Sequence, residues 1–158
     1  MHRKLAAFDM DKLLILDEYV KRTLFRRDFI ARYVTNAGRS VGDLPNYGSF
    51  QDKYLAGALC LTIDQDKLQH YNKVLQINKK LCRLGHGIVD PSYRNSGLIT
   101  DLALYALDNA KKESCEYAVC TIHPDNGAGL RVAKKLDFEP ICDFSEGRLQ
   151  QKLFAREL

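Results

Sequence analysis

The feature of this sequence that most constrains its fold is a predicted strand, loop and helix in direct succession, followed by another strand. Residues 81–89 are apolar enough for a buried strand, although Gly85 and Gly87 interrupt it. Glycines inside a strand indicate a bulge or a close approach by another backbone. Residues 97–112 carry apolar side chains at helical spacing, and a second strand follows at residues 117–122. We therefore predict a βαβ arrangement over this segment.

The rest of the chain also alternates between helical and strand patterns. The other predicted elements are a strand at 3–7, helices at 11–24 (with Asp9 and Asp11 as candidate caps) and 26–34, a loop at 36–50 with at most one short edge strand, a strand at 54–63, a helix or covering segment at 65–80, a helix at 127–136, and closing strands at 138–144 and 149–154. This order predicts an α/β or α+β fold around one mixed sheet. No repeat or linker interrupts it, so we expect a single domain over residues 1–158.

The composition excludes several classes of protein. Of the 158 residues, 46% are hydrophobic and 28% are charged, which is typical of a globular domain rather than a disordered or collagen-like chain. The net charge of +4 is too small to argue for nucleic-acid binding by itself. The longest apolar stretch, residues 55–61, is far too short for a membrane span, and the first residues do not resemble a signal peptide.

The five cysteines favour a reducing, cytoplasmic compartment. Their number is odd, their spacing is irregular, and four of them lie in apolar runs, where a free cysteine packs as a small hydrophobe. Cys115, Cys120 and His123 lack the paired spacing and the fourth ligand of a zinc site, so we expect no metal. A nucleophilic Cys120 is an alternative, but core packing explains its position in the middle of a strand.

The loop over residues 90–97 has the features of an anion-binding site. The first N–H groups of the helix that follows have no partner within the helix, and the helix dipole adds about half a positive charge at that end. Phosphate groups bind at such helix starts, and Arg94 adds a charged donor. The alternative is an ordinary helix start that Asn95 or Ser96 caps.

The segment Val-Asp-Pro-Ser-Tyr-Arg-Asn-Ser-Gly-Leu at residues 89–98 resembles the coenzyme A loop of the GNAT superfamily of N-acyltransferases. The signature of that loop is Gln or Arg, two residues, Gly, one residue, and then Gly or Ala. Arg94 and Gly97 match this signature, and Asn126 matches the asparagine that often opens the last helix of the family. The resemblance is clearest over residues 81–138.

This resemblance implies a mixed, twisted sheet flanked by helices, in which the parallel strands 81–89 and 117–122 splay apart and admit the pantetheine arm of coenzyme A. It implies acetyl-CoA or another acyl-CoA as co-substrate, with no metal. A primary amine, on a small molecule or a protein, attacks the thioester directly in a ternary complex. The cofactor-binding residues that it implies are Ile88, Val89, Arg94, Asn95, Ser96, Gly97, Leu98, Ile99 and Asn126.

Four positions depart from the family pattern. Ile99 stands where Gly or Ala normally allows a close approach, so its side chain either displaces the pyrophosphate or turns into the core. Ala133 stands where the family often has the tyrosine that protonates the leaving thiolate. Asn95 and Asp137 replace glycines, and both residue types tolerate a positive φ better than most.

Three residues are candidates for the base that removes the ammonium proton of the acceptor. His86 lies in the predicted strand 81–89, and histidine titrates near the required pH, so we take it as the catalytic candidate. A packed or solvent-facing histidine is the alternative for this position. Asp90 and His123 are the other candidates, and a turn cap is the alternative for His123.

The sequence therefore predicts an acyl-CoA-dependent N-acyltransferase. Ala133 and Ile99 motivate a second hypothesis, a catalytically weakened coenzyme A-binding or regulatory module on the same fold. A third hypothesis, a nucleic-acid-associated α/β domain, has the least support. We expect an acyl-CoA and an amine acceptor as partners, no nucleic acid and no membrane, and the sequence leaves a homodimer open.

Overall fold

The structure, a computed structural model, describes residues 1–23, 45–146 and 149–158. Two compact units make up the chain. The first comprises Met1–Leu61 and Gly85–Tyr105, and the second comprises Thr62–Leu84 and Ala106–Leu158. One strand, Leu81–Val89, therefore contributes residues to both units.

The described residues form seven strands and four helices. The strands are β1 (His2–Lys4), β2 (Tyr47–Gln51), β3 (Tyr54–Thr62), β4 (Leu81–Val89), β5 (Tyr117–Ile122), β6 (Glu139–Glu146) and β7 (Leu149–Glu157). The helices are α1 (Met10–Thr23), α2 (Gln65–Leu75), α3 (Leu98–Lys112) and α4 (Gly127–Lys135). The strands hydrogen-bond in the order β1-β2-β3-β4-β5-β7-β6, which confirms the predicted mixed α/β architecture.

In the first unit, α1 packs against antiparallel strands. Ser49 of β2 lies opposite His2 of β1 on one side and opposite Gly57 of β3 on the other. The helix presents apolar side chains three and four residues apart, which places them on one face. They join strand residues in a core of Leu13, Leu16, Val20, Phe50, Leu55, Ala58 and Ile88.

In the second unit, β4 and β5 begin side by side. Leu81, Cys82 and Arg83 pair in parallel with Tyr117, Ala118 and Val119, which confirms the predicted parallel pairing. β7 runs antiparallel to both β5 and β6, so the terminal hairpin joins β5 through its second strand. The core of this unit is Leu68, Tyr71, Leu81, Val119, Leu153 and Ala155.

Several predicted elements have different bounds in the structure. The predicted loop over 36–50 ends in β2, which pairs on both sides and is not an edge strand. The predicted helix over 65–80 ends at Leu75, because Gln76 adopts a left-handed conformation with φ 55°. The predicted helix over 26–34 lies outside the described residues.

The cysteines have the placement that the sequence predicts. All five are free, four of them are buried, and Cys142 is exposed. Among the described helices, none is both long enough and apolar enough to cross a membrane.

A buried ion pair joins β1 to the turn that precedes α1. Two guanidinium nitrogens of Arg3 donate to the two carboxylate oxygens of Asp9, at 2.6 and 2.7 Å. Asp9 also accepts a hydrogen bond from the main-chain N–H of Ala6 at 2.9 Å, and its side chain is fully buried. The hydrogen bonds from Arg3 lower the pKa of Asp9 to about 2. Asp9 therefore holds the start of the chain against α1 instead of only capping the helix.

We expect Asp9→Asn to destabilise the protein by about 2 kcal/mol at neutral pH, because it removes a charged acceptor from buried donors. The pKa of Asp9 is depressed on folding, so its contribution is present above the unfolded pKa, near 4, and is lost as the pH falls towards 2. Urea unfolding at several pH values measures this. Asp11→Asn, at an exposed position in the first turn of α1, is the control. Equal losses in the two variants would contradict the assignment.

Candidate functional site

The segment between β4 and α3 is held by a chain of short-range hydrogen bonds. Asp90 accepts from the main-chain N–H of Ser92 at 2.7 Å through Oδ1, and from that of Tyr93 at 2.9 Å through its carbonyl. The N–H of Arg94 then donates to the carbonyl of Pro91 at 3.3 Å. These bonds close a 3-10 turn over Pro91–Tyr93. Proline at the start of such a turn loses nothing, since its position needs no N–H donor.

Two residues with positive φ carry the chain from this turn into α3. Asn95 has φ 61° and Gly97 has φ 86°. Asparagine and glycine adopt this region at lower cost than other residues do, which confirms the expectation for Asn95. Between them, the Ser96 hydroxyl donates to the carbonyl of Tyr93 at 2.5 Å. The local sequence thus fixes an unusual backbone path.

The first turn of α3 leaves a set of main-chain donors unused. The Gly97 carbonyl accepts the N–H of Asp101 at 3.0 Å, and the N–H of Leu98 makes a long contact of 3.4 Å with the Ser96 hydroxyl. The N–H of Ser96 closes the turn over Arg94 and Asn95. The described residues supply no acceptor for the remaining N–H groups here, which are those of Asn95, Gly97, Ile99 and Thr100. Ser96 therefore caps the helix only weakly, and the anion-binding interpretation of this helix start fits its geometry.

Two glycines on neighbouring strands receive the first two side chains of α3. A Cβ at Gly57 of β3 would lie 2.5 Å from Cδ2 of Leu98 and 3.3 Å from the carbonyl oxygen of Ile88. A Cβ at Gly87 of β4 would lie 3.4 Å from Cδ1 of Ile99. We call the glycine pair 57 and 87 the helix seat. It determines how closely the start of α3 approaches the strands.

The contact with Gly87 shows that the side chain of Ile99 turns towards the sheet and not towards the predicted pyrophosphate site. Its side chain lies over Gly87 and is half-buried, so it points towards β4. An added Cβ at position 87 would meet Ile99 at ordinary van der Waals distance, so the side chain of Ile99 packs close to the backbone of β4. From the sequence, Gly85 and Gly87 indicate either a bulge or a close approach by another backbone, and at Gly87 the structure shows the side chain of Ile99. Sequence reasoning missed Gly57, although it too is a glycine inside a strand.

Asp90 does not have the properties of a general base. It is only 3% exposed, and its Oδ2 accepts a hydrogen bond from the Tyr54 hydroxyl. Burial raises the pKa of Asp90, but the hydrogen bonds from Tyr54 and Ser92 and the charge of Arg94 outweigh it, so the pKa lies below its ordinary value. A buried carboxylate with a low pKa is a weak proton acceptor. Asp90 is a structural residue of the loop.

The structure describes the side chain of His123 but only the main chain of His86. The main chain of His86 lies in β4, and its side chain lies outside the described part of the molecule. Nδ1 of His123 accepts the main-chain N–H of Asp125 at 3.1 Å, so this nitrogen caps a turn. The turn-cap alternative for His123 therefore has direct support.

In the second unit, Asn126 opens α4 as the resemblance implies. Its Oδ1 accepts the main-chain N–H of Gly129 at 3.0 Å, which is the bond of a helix cap. Ala133 is buried in the same helix and supplies no ionisable group. Asp137, just beyond the helix, has φ 56°, which confirms that it occupies the left-handed position expected for a glycine.

Cys115 and Cys120 of the second unit are buried packing residues. Cys115 donates through Sγ to the carbonyl of Leu81 at 3.6 Å. Burial raises the pKa of Cys120 to about 12, which keeps its thiol protonated and argues against a nucleophile. The described residues contain no group of three or more histidine, cysteine or acidic side chains that is arranged to hold a metal ion.

Comparison with known proteins supports the family resemblance seen in the sequence. The family model described as the acetyltransferase (GNAT) family matches residues 14–138. No curated protein matches the chain.

Solved structures with the same fold include a probable acetyltransferase from Staphylococcus epidermidis, at TM-score 0.71 and 14% identity, covering 99% of this chain and 98% of that one. The PaiA N-acetyltransferase of Thermoplasma acidophilum, in complex with coenzyme A, matches at TM-score 0.70 and 16% identity, over 100% and 98%. A ribosomal-protein-alanine N-acetyltransferase from Brucella melitensis matches at TM-score 0.65 and 14% identity, over 100% and 99%. At these identities the likeness shows the fold.

The helix seat predicts different effects for two glycine substitutions. In Gly57→Ala the added Cβ would lie where Leu98 Cδ2 lies and tight against the carbonyl oxygen of Ile88, so the buried Leu98 side chain must repack. We expect a loss of about 1–3 kcal/mol in the free energy of unfolding. Gly85→Ala is the matched control, because a Cβ there meets no atom within 4 Å, and we expect a change within about 0.5 kcal/mol. Chemical denaturation measures both. A Gly57→Ala variant as stable as the wild type would show that the seat does not constrain the helix.

Proposed function

Because the chain belongs to the acetyltransferase (GNAT) family, we propose that it transfers an acetyl group, or another short acyl group, from acyl-CoA to a primary amine. The observation that carries this proposal is the set of unused N–H donors at the start of α3, next to the exposed Arg94. Free N–H groups at a helix start favour the binding of an anion such as a diphosphate. Coenzyme A is a co-substrate that presents one.

The pyrophosphate and the pantetheine arm of coenzyme A each have proposed partners in this chain. The N–H groups of Asn95, Ser96, Gly97, Leu98 and Ile99, together with the Arg94 side chain, hold the pyrophosphate. The main-chain groups of Ile88 and Val89, at the end of β4, bond the pantetheine arm. The family resemblance also implies Asn126, which caps the start of α4 in the second unit.

The proposed reaction needs no covalent enzyme intermediate. The neutral amine attacks the thioester carbonyl, a carbon–nitrogen bond forms, the carbon–sulfur bond breaks, and coenzyme A leaves as a thiolate. The ammonium must first lose a proton and the thiolate must gain one. Asp90 does not serve as the base, for the reasons above, and His86 remains the proposed base. Ala133 supplies no acid, so solvent or another group protonates the thiolate.

The acceptor is proposed as a primary amine, with a protein or peptide amine as one class to test. Among the structural neighbours, one is named for ribosomal-protein alanine and another is the NatC complex bound to a peptide and coenzyme A. These substrates belong to those proteins. They justify a panel that contains short peptides with free amino termini beside small amines.

A second candidate function is a coenzyme A-binding module without turnover. The specific observation that favours it is the buried Ala133 in α4. Release of free thiol from acetyl-CoA, measured across the amine panel, separates the two. Turnover that falls at least about tenfold in His86→Ala, against an unchanged coenzyme A affinity, supports the enzyme and the proposed base. Binding without turnover on any amine supports the module.

Calorimetry with coenzyme A tests the binding proposal. Gly97→Val places a β-branched residue at φ 86°, which moves the N–H groups, so we expect the affinity to fall at least about tenfold. Ile99→Ala loses only the contact with Gly87 and keeps both its own N–H and the closer contact of Leu98 with Gly57. We therefore expect an affinity within about threefold of the wild type. Wild-type protein that does not bind coenzyme A at millimolar concentration would refute the proposal. Equal affinity in Gly97→Val would refute the role of the loop.

A further inference from the structure

Tyr54, at the start of β3, is joined by a hydrogen bond to the loop that precedes α3. Its hydroxyl donates to Oδ2 of Asp90, 36 residues further along the chain. Its ring also stacks against that of Tyr93, with the ring centroids 6.3 Å apart and an interplanar angle of 30°. Tyr54 has no part in the chemistry described above, and no sequence motif marks it.

The Tyr54 hydroxyl completes the hydrogen bonding of a buried charge. Asp90 is 3% exposed, so its two carboxylate oxygens depend on protein donors. Oδ1 has the N–H of Ser92 at 2.7 Å, and Oδ2 has the Tyr54 hydroxyl. The bond to Asp90, together with burial, raises the pKa of Tyr54 to about 12, so the hydroxyl keeps its proton and remains a donor throughout the physiological range.

From Asp90, successive hydrogen bonds lead to the unused donors of α3. The Asp90 carbonyl accepts the N–H of Tyr93, and the Tyr93 carbonyl accepts the hydroxyl of Ser96 at 2.5 Å. The Ser96 hydroxyl in turn contacts the N–H of Leu98 at 3.4 Å. Each bond links adjacent parts of one short loop, so a shift at Asp90 changes the direction of the N–H groups beyond it.

We propose that Tyr54 is a positioning residue for the cofactor. Through its hydrogen bond to Asp90 it fixes the turn Pro91–Tyr93, and this turn directs the N–H groups of residues 95–99 towards the diphosphate. This inference rests on the proposed function. It assigns Tyr54 to the nucleotide half of coenzyme A. We therefore expect the loss of its hydroxyl to weaken the binding of ligands that carry the diphosphate and to leave pantetheine binding unchanged.

The test compares Tyr54→Phe with Tyr19→Phe. Tyr19 lines the same surface groove as Tyr54, and its hydroxyl makes no hydrogen bond among the described residues, so this control removes a hydroxyl without removing a contact. Calorimetry gives the affinities for coenzyme A and for pantetheine. Steady-state kinetics with the best amine of the panel gives KM for acetyl-CoA and kcat separately.

For Tyr54→Phe we expect about tenfold weaker binding of coenzyme A, unchanged binding of pantetheine, a KM for acetyl-CoA raised about tenfold and a kcat within about twofold. Tyr19→Phe behaves as the wild type. A variant that loses stability alone would lower the amount of active protein and kcat, and would not separate coenzyme A from pantetheine. If Tyr54→Phe does not fold, Asp90→Asn, which keeps one accepting oxygen, takes its place with the same expected selectivity.

The outcomes separate this inference from the proposed function. Wild-type protein that fails to bind coenzyme A refutes the proposed function and the inference with it. Wild-type binding together with equal coenzyme A affinity in Tyr54→Phe refutes the inference alone. A parallel loss of coenzyme A and pantetheine binding also refutes it, because that result shows a general disturbance of the site.

Discussion

The contact between the first two side chains of α3 and two glycines is the constraint on which the candidate site depends. Leu98 occupies the space that a side chain at Gly57 would take, and Ile99 lies over Gly87. A helix that is anchored through its first two residues presents its free N–H groups in a fixed direction. Preorganised donors of this kind stabilise an anion without first having to move into place.

The same contacts explain how the chain accommodates Ile99, which departs from the family pattern. A large residue at position 99 removes the space that glycine or alanine leaves there in relatives, but the chain provides other space for it at Gly87. The main-chain N–H of Ile99 then remains available to an anion, while the side chain of the same residue contacts Gly87. Ala133 has no comparable compensation among the described residues of α4.

Much of the fold could be predicted from the sequence, because periodicity reports which face of an element is buried. β4 and β5 have the predicted bounds, and α3 begins one residue later than expected. The early end of α2 could not be predicted, since the left-handed Gln76 carries none of the usual stop signals. Tyr54 and Asp90 belong to one site through a contact between distant residues, which no local pattern records. In the sequence, a glycine inside a strand at position 57 indicates that another part of the chain approaches β3, but it does not identify that part as the start of α3.

The most direct measurement of the central claim is the change in amide chemical shifts when coenzyme A is added to isotope-labelled protein. We predict that the largest amide shifts, in the downfield direction expected for new hydrogen bonds to phosphate, occur at Asn95, Gly97 and Ile99, whose N–H groups have no acceptor among the described residues. Coenzyme A binding that leaves these amide resonances unchanged while it shifts others would contradict the account, because the diphosphate would then lie somewhere other than the start of α3.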